Sequence, residues 1–199
     1  MVVWLGAAGV ADAAVIGLYE IGINKDGVAP TPSGITYNLD ASGLGSVTVR
    51  VDGTGSHSVL GYFDFEIGSA PDDEFGDPSG APGAGQSWEI DKTDFASGNI
   101  YANFLAGVLD NASGISGLDD VAMALGWRFN SVRGPSEVVF YTSSQQPNVP
   151  FYLRQYDGTG GQTVYLWSSL SIDVVPEPGT LALLSLGLAG LGLSRRRKA

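Results

Sequence analysis

The chain has 199 residues, no cysteine, one histidine, and 21 acidic against 10 basic side chains, for a formal net charge of −11 at pH 7. With the basic tail, Asp12 and Glu177 set aside, residues 14–175 hold 19 acidic and 6 basic side chains. Disulfides and thiolate metal sites are excluded, a single histidine argues against a zinc site, and nucleic acid and anionic lipid surfaces are poor partners for so acidic a body.

Residues 2–10 form an apolar run followed by Ala11-Asp12-Ala13, small residues at the two positions a signal peptidase reads. A basic n-region is missing, so residues 1–13 read as a truncated or degenerate signal peptide with cleavage near Ala13. A first core strand is the competing reading.

Period-two alternation dominates the rest of the body. Val59, Gly61, Phe63, Phe65 and Ile67 alternate with Ser58, Leu60, Tyr62, Asp64 and Glu66, which predicts a strand with the first set buried and the second outward. The same pattern recurs over 121–129 and 164–174, and more weakly over 15–23, 35–39, 47–51, 137–142 and 151–155. Eight strands separated by Gly, Pro, Asn and Asp clusters predict an all-β body over 14–175, an antiparallel β-sandwich or jelly roll, with a barrel as the nearest competitor. Residues 69–85, SAPDDEFGDPSGAPGAG, are too rich in Gly, Pro and Asp for a regular element and read as a long loop. One short packed helix is expected over 99–109, where Ile100, Phe104 and Val108 recur at four-residue spacing beside Leu105 and Leu109, with Asn99 or Ser97 as its cap.

Candidate chemistry is mostly acidic. Asp72, Asp73, Glu74 and Asp77 fall on the long loop, and loop carboxylates suit Ca²⁺, which takes six to eight oxygen ligands at loose geometry. Their spacing matches no EF-hand loop, and a solvated charge run is the plainer reading; otherwise no cofactor is expected. Asp119-Asp120 and Asp110-Asn111 join such a site or simply cap and turn the chain. A glycosidase needs two carboxylates across a cleft, and Asp64, Glu66, Glu89 and Asp91 are the available ones, although the alternation puts Asp64 and Glu66 on one outward face. His57 lies beside Ser56 and Ser58, but no Gly-x-Ser-x-Gly elbow is present, and a surface turn is expected there. TGSH and DGTGGQ read as hairpin turns rather than phosphate loops. Among the aromatics Trp88, Tyr101, Tyr152, Tyr156, Tyr165 and Trp167, the pair Tyr165 and Trp167 lies on the face opposite Val164, Leu166 and Leu170. That pair is expected under the helix; left open to solvent, it would make a glycan-contacting stripe.

The chain ends VVPEPGTLALLSLGLAGLGLSRRRKA. Pro176 and Pro178 bracket Glu177 and leave that tripeptide extended and stiff. Residues 179–193 carry no charge, and seven of the fifteen are Leu. As a helix this run rises about 22 Å, short against a hydrocarbon core of about 30 Å, and snorkelling basic side chains cover the difference. Arg195, Arg196, Arg197 and Lys198 favour the cytoplasmic side. A single C-terminal transmembrane helix follows as an expectation.

This order of Pro-Glu-Pro, short apolar helix and terminal Arg cluster resembles the PEP-CTERM sorting signal of Gram-negative bacteria that make exopolysaccharide. The resemblance covers about residues 175–198 and implies recognition by an exosortase-type processing enzyme in the inner membrane, cleavage near the motif, and transfer of the body to the cell surface or extracellular matrix. A hydrophobic address of this kind parallels a GPI signal. The series YFDFEI, GQSWEID, GNIYANFLAGVLDN and LDDVAMALGWRF is similar to a group of exported PEP-CTERM proteins without assigned activity, and brings no catalytic residue with it. The expected function is a structural or binding component of the surface or matrix, with exopolysaccharide as a partner; the alternatives are a secreted or periplasmic glycan hydrolase and a permanently membrane-anchored protein.

Overall fold

The computed structural model describes residues 15–68, 70–93, 98–132, 134–158 and 161–172. Among them the strands are β1 (Val15–Lys25), β2 (Ile35–Leu39), β3 (Gly45–Val51), β4 (Gly55–Gly68), β5 (Glu74–Gly80), β6 (Gln86–Lys92), β7 (Ala112–Ser113), β8 (Val121–Ser131), β9 (Ser136–Ser143), β10 (Phe151–Asp157) and β11 (Thr163–Ile172). One helix, α1 (Ile100–Ala106), lies between β6 and β7. The strands form two sheets, ordered β1-β4-β8-β6-β7 and β2-β3-β9-β11-β10-β5. Every pairing among these strands is antiparallel except β6 with β7.

Alternation explains the core. Phe63, Phe65 and Ile67 of β4 and Met123 and Leu125 of β8 face Val138 and Phe140 of β9 and Val164 and Leu166 of β11, and all are buried in one cluster between the sheets. Phe63 and Phe140 meet across it with ring centroids 5.9 Å apart. Two layers sharing one core make a sandwich, not a barrel.

A second, smaller core lies outside the first sheet. Ile100 and Phe104 of α1 pack on Leu60, Tyr62, Ala122 and Ala124, so the β4 face expected to point outward is instead roofed by the helix. Gly22 is required beneath it, because a Cβ there would stand 2.8 Å from the Phe104 ring. Gly107 ends the helix in the left-handed conformation (φ 75°), its N–H bonded to the Asn103 and Phe104 carbonyls. Val108 therefore falls past the helix and is 52% exposed, against the expected spacing. Asn99 makes no side-chain cap; its amide donates to Asp110 Oδ2 at 3.0 Å instead.

The 69–85 stretch is also corrected. It holds a 3₁₀ turn, Pro71–Asp73, and then β5, the outermost strand of the second sheet, paired to β10. An edge position tolerates Pro78, and Gly76 leaves room for Ile90 and Val121, whose methyls would lie 2.7 and 3.0 Å from a Cβ.

Candidate functional site

Of the four carboxylates weighed for a glycosidase pair, Glu89 and Asp91 anchor the helix, whereas Asp64 lies near the charges of Glu66, Asp120 and Glu20. Glu89 is buried and accepts both Asn103 Nδ2 (3.0 and 3.1 Å) and the Asp110 N–H (3.1 Å); Asp91 accepts the Asn99 N–H at 2.9 Å. Both tie α1 to β6. Burial raises the Glu89 pKa, and these hydrogen bonds pull the other way. Asp64 is 4% exposed, and its Oδ1 has no hydrogen-bond partner. Burial, then the charges of Asp120, Glu66 and Glu20, push it up to about 7.

Of the four residues expected to suit calcium, Asp72 and Asp73 are exposed on the 3₁₀ turn, whereas Glu74 is fully buried. Glu74 accepts the Ile67 N–H (2.6 Å) and Gln155 Nε2 (2.5 Å); burial outweighs these bonds and lifts it to about 8. Asp77 turns to the opposite face of β5 and holds Arg154 in a two-pronged pair at 2.5 and 2.8 Å, which raises the pKa of the guanidinium. Among the described residues no group of three or more His, Asp or Glu is arranged to hold a metal ion. Asp119 pairs with Lys92 and exchanges backbone bonds with Glu74.

His57 belongs to β4 rather than to a turn. Its Nδ1 meets Asp26 Oδ2 at 2.9 Å, while Asp26 Oδ1 accepts the Ser58 N–H at 2.8 Å. A triad needs a serine hydroxyl on Nε2; here Nε2 is buried without a partner, and the ring leans on Phe129 at 5.8 Å.

Tyr165 and Trp167 lie on the outer face of the second sheet, and α1 covers the other sheet, so the expected helical roof is absent from them. Trp167 stands opposite Tyr141 of β9 and stacks on it, centroids 5.3 Å apart and planes 12° from parallel. Tyr165 meets Tyr152 edge-on at 5.6 Å. Beyond them Arg154 lies 5.2 Å over the Tyr156 ring, and Tyr156 meets Phe75 at 5.5 Å. The result is an aromatic band across β9, β11, β10 and β5, in which the charged Arg154 and Asp77 are paired with each other. Tyr141 and Phe75 were not singled out from sequence, although Tyr141 occupies the outward alternation of its strand. At the β11 start a cleft of about 590 Å³ opens among Ser42, Leu44, Ser144, Gln162, Thr163 and Tyr165.

These features define a two-sheet β-sandwich with an aromatic outer face, followed within two residues of β11 by the terminal tail. Residues 174–198 match the PEP-CTERM protein-sorting motif, taking in Pro176, Glu177, Pro178 and the basic cluster Arg195, Arg196, Arg197 and Lys198. The chain thus carries a signal for export with membrane-associated sorting, of the kind processed by exosortases. No curated protein and no solved structure matches it. No helix among the described residues is long and apolar enough to cross a membrane; the expected helix at 179–193, the Pro-Glu-Pro motif and the cleavage residues Ala11 and Ala13 lie outside those residues.

Proposed function

We propose that the body is a non-catalytic, neutral-polysaccharide-binding component of the cell surface or extracellular matrix, delivered there by its tail. The observation carrying this reading is the band of half-buried Tyr141, Trp167 and Tyr165, backed by the buried Tyr152, on the outer face of the second sheet. Flat aromatic surfaces take the apolar faces of sugar rings, and their hydroxyl and indole edges supply hydrogen bonds. The acidity of the body disfavours polyanions and leaves uncharged glycans as suitable partners. Affinity electrophoresis of the purified chain through gels containing the neutral exopolysaccharide of its host tests this. Retardation without release of reducing ends is expected, and Trp167→Ala is expected to weaken binding about tenfold, roughly 1.4 kcal/mol. Unretarded migration, or polysaccharide turnover, would refute the reading.

In the same proposal residues 1–13 are an export signal, 179–193 cross the inner membrane during sorting with the basic cluster cytoplasmic, and an exosortase cuts near Pro176 to Gly179. Intact mass of the protein recovered from the medium is expected to end in that interval. A mass running through Ala199 in the inner-membrane fraction would instead identify a permanent anchor.

A further inference from the structure

Resting on the binding reading above, we propose that the cleft at the start of β11 is a subsite for the uncharged end of a polysaccharide chain whose following units lie on the aromatic band. The cleft's volume, about 590 Å³, lies within the range of small-ligand sites. Its polar lining is hydroxyl and amide: Ser42, Ser144, Thr163 and Gln162, with no charged side chain, in a body where acidic residues outnumber basic ones threefold. Such a lining answers sugar hydroxyls and offers nothing to neutralise a uronate.

Tyr165 joins the two regions, since it lines the cleft and its ring meets Tyr152 of the band edge-on. A chain end in the cleft is therefore continuous with a surface on which further rings stack. Gln162 adds an independent sign. Its Oε1 is shielded from solvent and has no hydrogen-bond partner, a state native proteins rarely leave unexplained, and turning this side chain into the cleft would let the oxygen accept from a sugar hydroxyl.

The test is isothermal titration of the full chain in detergent with neutral and with acidic oligosaccharides released from the host exopolysaccharide. Binding of the neutral set, little binding of the acidic set, and a loss of about tenfold for Gln162→Leu at an unchanged thermal midpoint are expected. Thr163→Val, which keeps the strand-favouring shape while removing the hydroxyl, carries the same comparison should Gln162→Leu fail to fold. If Trp167→Ala weakens binding while Gln162→Leu and Thr163→Val bind as the parent does, the band is the glycan site and the cleft is no part of it. Preference for the acidic set also overturns the subsite, and absence of all binding overturns both it and the reading on which it rests.

Discussion

Raising the pH from about 4 to about 8 is expected to weaken the folded body, and Asp64→Asn is expected to recover much of that loss. Asp64 rises from 3.8 to about 7 on folding, driven by burial and then by Asp120, Glu66 and Glu20; Glu74 rises from 4.5 to about 8 through burial. A carboxyl with a raised native pKa binds more protons folded than unfolded. Its stabilising contribution is thus complete below the unfolded value and is lost as pH climbs through the folded one. The two groups together contribute on the order of a few kcal/mol over that window. The Asp64→Asn variant would keep the shape, remove one charge from a crowded acidic face, and match the parent near pH 4 while exceeding it by about 2 kcal/mol near pH 8. Urea midpoints of both proteins across the window decide the matter. A parent midpoint that rises with pH, or a gain in the variant that does not depend on pH, would contradict this account of Asp64.

Phe104→Ala should be the most damaging single truncation on the first sheet's outer side, at about 3 to 5 kcal/mol. Phe104 is fully buried. Its ring touches Tyr62 at 5.7 Å and Tyr101 at 5.9 Å, and its carbonyl receives Asn24 Nδ2 at 2.7 Å. Without the ring, a helix of seven residues has too little of its own hydrogen bonding to stand alone. Thermal melts should show the loss, and amide exchange should rise over 100–106 before it rises in β8. A cost below about 1 kcal/mol would mean that Glu89 and Asn24, rather than apolar packing, hold α1 in place.

The sandwich was legible wherever a strand buries one face. Val121, Met123 and Leu125, like Val164 and Leu166, display their period in the sequence because polar or small residues separate them. β5 was hidden for the opposite reason: Glu74 points inward, Gly76 is a packing gap, and Pro78 is admissible only because the strand is an edge. β6 was obscured by Glu89 and Asp91, outward residues of the strand whose partners, Asn103 and the Asn99 and Asp110 amides, arrive from distant positions. Alternation assigns a residue to one of two faces; it carries no information on which sheet a helix will cover. Tyr62 and Asp64 were therefore expected in solvent, and Tyr165 and Trp167 under the helix, when the reverse holds. The aromatic band was half legible for the same reason, since Tyr141 joins Trp167 only through the register of β9 with β11.

β11 runs from Thr163, in the cleft wall, to Ile172, two residues before the matched motif begins. At about 3.3 Å per residue, the nine steps along its ten residues separate the two ends by roughly 30 Å. The strand end that leads to the sorting motif and the opening proposed to receive sugar thus lie at opposite ends of β11. Cutting or exchanging the tail is expected to change where the molecule resides and to leave the cleft as it was. A body transplanted onto a different tail is therefore expected to keep the glycan preference proposed above.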